Sequence, residues 1–475
     1  MLLKADIKRF YGLSISSLIL CFFVVFNFPG YYALLLPAVI GVCCLFLLSL
    51  ENILLLIAFC TPLSVEIFIG NAGITLPNEP LMIAFTGIFL LKLLENPDSF
   101  KSVWRNPLTF LIAVDFLWLL VTSITSTLPI VSFKYLASHI WFVTTGLLWG
   151  IIIFKDLKNI KRFVIAFGLG LSLIVIYTTI RHWQHSFSQK SGTYVMNPFF
   201  DDHTVYSAVC SIIFVFAIVM LTKGRKNLNF INRTAFLAIS IFSLTGIVFS
   251  YSRAAWLSLI GTFLFALILK WKIKFSWIIS AIVIIGLIGI LFQNQIYQQI
   301  RFNKAASGKT LQDDLKSISN VKTDESNVER LNRWESGWRM FKEKPFLGFG
   351  AGTYQFQYSS YQRPHQMTSI STTTGDMGSI HSEYFRALIE NGIIGLIIFL
   401  LIVLWFVKSM MQIIYTSNNP ELKLYATAIL LGLMTYLIHG TLNNFLNQDK
   451  AALLFWAFLG IAGAIYFKNN LTREK

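Results

Sequence analysis

A few charged residues in this 475-residue chain are of types and in places that suit chemistry. Arg253 opens an apolar block, Arg330 and Arg333 lie in a long polar segment, and His381 precedes another apolar block, with Glu383 two residues on. His203 follows the acidic pair Asp201-Asp202. An arginine offers a planar fork of donors that matches phosphate oxygens. A histidine exchanges protons near neutral pH, with a reference pKa of about 6.5. Cations and an imidazole brought together would stabilise growing negative charge and accept a proton from a hydroxyl.

Each residue also has a plain structural reading. Arg253 could be an anchor that snorkels to the membrane boundary, and Arg330 a solvated charge on a helix edge. Arg333 reads as either a phosphate contact or a solvated charge. His381 could cap the helix that follows, and Glu383 either orients the histidine or is solvated. Asp202 and His203 either meet a substrate or shape their own loop. His139, His182, His185 and His365 read as external or interfacial residues, and His439 is expected to satisfy a backbone carbonyl. Asp115 lies inside an apolar block, where an acid is a functional candidate by default, and it receives no role.

The elements that must position these residues follow from composition. Hydrophobic residues make up 55% of the chain and charged ones 13%, too few polar groups to cover a soluble protein of this length. The apolar residues fall in blocks of about 17 to 20, the length of a membrane-crossing helix. Ten-residue alternating segments are absent, which argues against a lipid-embedded barrel and leaves helices to satisfy the backbone within lipid. The expected fold is therefore an all-α, polytopic transmembrane bundle of about 12–14 spans with both termini cytoplasmic. Fourteen spans are placed at 12–29, 33–50, 53–69, 80–94, 107–127, 138–154, 162–180, 204–222, 234–250, 254–270, 275–293, 392–413, 422–441 and 450–467. The basic N-terminus before the first block resembles a signal peptide, but no small-residue cleavage site follows, so a retained first helix is expected.

With the N-terminus inside, 22 of the 39 Lys and Arg fall on the cytoplasmic side, 5 in short external loops and 12 in the external segment 294–391. That bias is the positive-inside rule. It accounts for the net charge of +16 as topology and argues against a nucleic-acid partner. The five cysteines, Cys21, Cys43, Cys44, Cys60 and Cys210, all lie in apolar blocks without metal-ligand spacing and read as packing residues. Three regions are expected: a transmembrane bundle over 1–293, a large external loop over 294–391, and C-terminal spans over 392–475.

Within that loop, Ser326-Asn327-Val328-Glu329 has the form of a capping box. Val328, Leu331, Trp334, Trp338 and Phe341 then recur as one helical stripe, which Pro345 ends. Arg330 falls on the edge of the stripe, and Arg333 lies further toward the polar side. Such a helix would lie in the membrane interface, at the depth of lipid phosphates. A tight turn, Gly348-Phe349-Gly350-Ala351-Gly352, follows.

These segments resemble the O-antigen ligase family. The resemblance rests on Arg330-Leu331-Asn332-Arg333-Trp334, Pro345-Phe346-Leu347-Gly348-Phe349-Gly350, His381, and Glu390-Asn391-Gly392-Ile393-Ile394-Gly395. Ser250-Tyr251-Ser252-Arg253-Ala254-Ala255-Trp256 matches a further motif, and Gly192-Thr193-Tyr194 with Asn197-Pro198 and Asp202-His203 a weaker one. Ser382 stands where the family often has Asn, and fourteen spans exceed the usual twelve or so.

The resemblance implies a glycosyltransferase at the periplasmic face of a bacterial inner membrane. Its donor would be an undecaprenyl-diphosphate-linked glycan. Its acceptor would be a lipid A core sugar or another glycan, with membrane lipids as further partners. Arg253 and Arg330 would bind and stabilise the diphosphate and His381 would be the base, with Arg333, Glu383 and His203 as further substrate-binding candidates. No cofactor or metal is expected, and transfer should invert the anomeric centre. A polysaccharide polymerase and a protein O-oligosaccharyltransferase of the same family remain open. So do a transporter or flippase and an assembly scaffold, although candidate residues at one face and the absence of an internal repeat suit a transporter poorly.

Overall fold

Long apolar runs become helices because the chain starts and stops them with local polar caps. Asn106 Oδ1 accepts from Leu108 N with Pro107 as the first helical residue, and Asn419 Oδ1 accepts from Glu421 N and Leu422 N ahead of Pro420. Asp202 and Asn229 cap two further helices in the same way. A computed structural model describes residues 49–69, 72–292, 325–364, 367, 371 and 378–473.

The first described helix, α1 (Leu50–Leu63), gives way to a hairpin of β1 (Val65–Ile69) and β2 (Ala72–Leu76), paired antiparallel with Val65 opposite Leu76. Helix α2 (Asn78–Glu95) follows, and a bend of 116° separates it from the helical segment Pro97–Trp104. Then come α3 (Pro107–Ile124), α4 (Pro129–Ile153), α5 (Lys158–Gln184), α6 (His203–Thr222), α7 (Phe230–Phe249), α8 (Arg253–Lys270) and α9 (Phe275–Leu291). The amphipathic α10 (Glu325–Glu343) precedes three last helices, α11 (Glu383–Thr416), α12 (Pro420–His439) and α13 (Asp449–Arg473).

Among the described residues, nine helices are long and apolar enough to cross a membrane, or ten if the bent pair counts as one. The protein is an all-α, multi-pass membrane protein, as expected. Nine of the fourteen expected spans coincide with α3 to α8 and α11 to α13. The expected span 53–69 does not form as one helix, since it stops at Leu63 and turns into the hairpin. The spans at 12–29 and 33–50 lie outside the described residues, apart from the last two positions.

Helices α6, α12 and α13 form the buried centre, where α12 packs on α6, α8 and α11. Helix α4 widens into a π-type turn over Thr144–Leu148 where α13 crosses it. A Cβ on Gly146 would stand 2.8 Å from the backbone N of Ala457, so the small residue permits backbone-to-backbone packing of the kind membrane helices use. The up-and-down course brings one set of connections to one end of the bundle: the hairpin, residues 125–128, 185–202 and 250–252, α10 with the loop behind it, and residues 440–448.

Candidate active site

The signature segments dock on one another at that end. Gly392 interrupts α11 with φ of 68° and ψ of −175°, and Gly348 turns with φ of 69°. A Cβ on Gly348 would fall onto the backbone of Glu390, and one on Gly392 onto the carbonyl of Phe346. Left-handed backbone and the absence of a side chain are both required for this approach. Phe349 N donates to Ile389 O at 3.1 Å, Gly350 N to Glu390 O at 2.8 Å, and Ile393 N to Pro345 O at 2.9 Å. The Glu390 carboxylate accepts from Tyr354 N at 3.2 Å and from the Gly352 amide. The glycine turn therefore directs its amides inward, to Glu390, rather than toward a phosphate.

Behind this turn lies a buried ionic network. Arg386 meets the Glu383 carboxylate at 2.9 Å and that of Glu390 at 3.4 Å, and it donates to Tyr135 Oη at 2.8 Å. Glu383 is 1% exposed. Its Oε1 accepts from Tyr436 Oη and Phe445 N at 2.6 Å each and from Leu446 N at 2.8 Å. It is neither solvated nor bonded to the histidine. It fixes the turn after α12, and Asn443 in that turn faces His381, with Oδ1 3.5 Å from Nδ1.

His381 has φ of 53°, a conformation rare outside glycine, so surrounding contacts dictate its place. Trp334 Nε1 donates to Ile380 O at 3.0 Å, and Glu383 N donates to Gly440 O at 2.8 Å, holding the chain on either side. Burial, then the positive charges of Arg330 and Arg333, push the imidazole pKa down to about 4, against the opposite pull of Asn443 and Asp202. The His381 imidazole is therefore neutral at ordinary pH.

Helix α10 forms as expected, but its apolar stripe is only partly turned to the protein: Val328, Leu331, Trp334 and Phe341 are half-buried, with Trp334 stacked on Phe385 at 5.4 Å between ring centres. The buried side carries Glu329, Asn332, Arg333, Ser336 and Met340, while Trp338 on the stripe is exposed. Arg333 is accordingly buried. Its Nε meets Glu329 Oε1 at 2.8 Å, its Nη1 donates to Ser379 O at 2.8 Å, and its guanidinium lies 5.2 Å from the Tyr358 ring centre. The stripe-edge Arg330 is half-buried, and its charge acts on both His381 and His439.

Asp202 and His203 approach from another direction. His203 Nδ1 lies 3.0 Å from Asp202 Oδ1, which also accepts from Thr204 N at 2.7 Å. Burial would raise the Asp202 carboxyl, but His203 and Thr204 hold it well below the usual range. The charge of Asp202 reaches both His381 and His439. Arg253, half-buried, is the first residue of α8 at the same end. Its lead-in turns at Tyr251 with φ of 51°, and Tyr251 Oη donates to Phe187 O at 2.8 Å. A Cβ on Gly192 would stand 2.7 Å from the Tyr251 ring, so two more of the recognised segments touch.

The structure thus brings Arg330, His381, Asp202 and His203 into one electrostatic neighbourhood. Arg253 stands at the same end, and Arg333 and Glu383 lie in the supporting layer. Several residues depart from expectation. Among the described residues His439 bonds no carbonyl; both of its ring nitrogens are buried without a partner there. His139 is buried, with Nε2 2.9 Å from Asp115 Oδ2, an acid–imidazole pair within the bundle. His182 is buried and bonds Ser188 O at 3.0 Å. His365 lies outside the described residues. Asn443 and Arg386 went unnoticed in the sequence; the polar doublet Asn443-Asn444 in a short outer loop was the available signal for the first.

Residues 238–400 match the family model described as O-antigen ligase. That stretch holds Arg253, Arg330, Arg333, His381 and Glu383, together with both docked glycine segments. An uncharacterized protein of Haemophilus influenzae is 25% identical over 231 residues, 47% of this chain and 54% of that relative. The chain thus spans about half the length of that relative. Over residues 238–400, this chain is similar to the O-antigen ligase family.

Proposed function

We propose that this protein transfers a glycan from an undecaprenyl-diphosphate-linked donor to an acceptor hydroxyl, in the first instance on a lipid A core sugar. The acceptor oxygen attacks the anomeric carbon from the face opposite the leaving group, inverting that centre. The bond from that carbon to the diphosphate oxygen breaks, and its electrons pass to the diphosphate. Arg330 and Arg253 stabilise the emerging charge as a divalent cation would. The hydroxyl proton goes to Nε2 of His381, while Nδ1 donates to Asn443 Oδ1. In the free protein burial, and after it the neighbouring cations, keep the imidazole neutral and ready. A bound diphosphate offsets that field and raises its basicity. The observation that carries this reading is His381 beside the charge of Arg330, with Nδ1 turned to Asn443.

Charge distribution supports placing the reaction at the periplasmic face of an inner membrane. The connections at the far end carry Lys101, Arg105, Lys155, Lys223, Arg225, Lys226, Lys272 and Lys274, whereas residues 125–128 and 440–448 at the site end carry no Lys or Arg. The test is deletion of the gene with profiling of glycan and lipid A, complemented by wild type or by Arg253→Ala, Arg330→Ala and His381→Ala. The expected result is loss of mature glycan on lipid A while lipid-linked polymer remains, restored by wild type and by none of the variants. Loss of the long polymer itself would instead identify a polymerase. Full restoration by all three variants would refute the reading and leave a scaffold.

A further inference from the structure

The turn that Glu383 fixes also carries polar atoms with no hydrogen-bond partner among the described residues. His439, Asn443 and Asn444 are 1%, 2% and 8% exposed. Among the described residues, His439 Nδ1 and Nε2, Asn443 Nδ2 and Asn444 Oδ1 are all buried without a hydrogen-bond partner. Buried polar groups are nearly always paired, so a cluster of four such atoms on six consecutive residues needs an explanation. Their backbone is rigid. His439 O accepts from Leu442 N at 2.9 Å and from Asn443 N at 3.1 Å, and Glu383 holds Phe445 and Leu446 from beneath. The side chains are therefore presented in a fixed arrangement.

We propose that His439, Asn443 and Asn444 form a subsite for the hydroxyls of a sugar ring; this rests on the functional reading above and gives it a specificity element. The cluster mixes donors and acceptors: a neutral imidazole supplies one of each, Asn443 Nδ2 donates, and Asn444 Oδ1 accepts. A sugar hydroxyl both donates and accepts and can answer all of them. A phosphate only accepts and would leave Asn444 Oδ1 and one imidazole nitrogen unmet. The position agrees, because Asn443 faces the base His381 at 3.5 Å and the charge of Arg330 reaches His439. The diphosphate would lie toward the arginines and the sugar against the end of α12. Either the donor's first sugar or the acceptor's sugar could fill the place.

The test uses the purified full chain in detergent, the lipid-linked glycan extracted from the source strain as donor, and the matching glycolipid as acceptor. The variants are His439→Phe, Asn444→Leu and Asn444→Asp. His439→Phe and Asn444→Leu should unfold within about 3 °C of wild type, because the His439 ring nitrogens and Asn444 Oδ1 have no hydrogen-bond partner among the described residues. KM for one substrate should rise about tenfold or more, with kcat within about threefold of wild type. Asn444→Asp, which keeps an acceptor oxygen, should recover most of that loss. A rise in KM for the donor assigns the subsite to the donor sugar, and a rise for the acceptor assigns it to the acceptor sugar. Unchanged KM for both substrates overturns the subsite while leaving the transferase reading intact. So does a fall in unfolding temperature that accounts for the lost activity. A wild-type protein that transfers nothing would instead sink the functional reading and this subsite together.

Discussion

Two polar regions share the site end of the bundle and differ in how they treat their hydrogen bonds. The glycine turn at 345–352 closes on residues 389–393 and Glu390, and the Glu383–Arg386 pair is likewise filled on both sides. The turn after α12 is as deeply buried, yet His439, Asn443 and Asn444 hold polar atoms with no partner among the described residues. Burial alone therefore does not separate scaffold from site here. What separates them is whether the polar groups are already answered within the chain. On one helix, Arg333 is locked to Glu329 and Ser379, while the charge of Arg330 acts on the imidazoles of His381 and His439.

The sharpest way to break the comparison is at its filled side. Glu383→Ala leaves Arg386 buried with one carboxylate fewer and frees the turn that holds Asn443. Removing one partner of a buried pair costs about 3–5 kcal/mol, so thermal unfolding of the purified protein should drop sharply and membrane levels should fall. His381→Ala should do the reverse, slowing transfer by about 10²–10⁴-fold with almost no change in unfolding. Gly392→Ala tests the docked glycines. A left-handed alanine costs about 1–2 kcal/mol before its overlap with the Phe346 carbonyl is counted, and lower unfolding temperature should report it.

The smallest effect is in the pH profile. The His381 imidazole is lowered from its ordinary 6.5 to about 4, so it stays unprotonated through the neutral range. The acid limb of kcat/KM should lie near pH 4 rather than near 6.5. The unfolded chain protonates this residue first on acidification. Its contribution to stability is therefore complete above about 6.5 and lost as pH falls toward 4. A limb at 6.5 would mean that the imidazole is solvated and outside the arginines' field.

The sequence made much of this legible. Block length and hydropathy located nine spans, because lipid permits few backbone alternatives. The segment 53–69 misled because Ser64 ends the helix and the β-branched residues beyond it pair as a hairpin, a choice that apolarity does not record. The stripe on α10 was visible, but not its direction. In water an apolar stripe turns inward; here Glu329, Arg333 and Ser336 share the inward side with Trp334, and Trp338 turns outward. The glycine motifs could be read as a turn, but not as two turns docked on each other. His439 went wrong because periodicity finds a helix end and says nothing of whether an imidazole there has a partner.

The most direct measurement is transfer by the purified chain in detergent, with lipid-linked glycan as donor, EDTA present and no membrane gradient. Wild type should form the glycosylated acceptor, while Arg330→Gln and His381→Ala fold normally and lose transfer by at least about 100-fold. Transfer at wild-type rates by either variant, or none by wild type with both substrates supplied, would contradict the pairing of an arginine-held diphosphate with a histidine base.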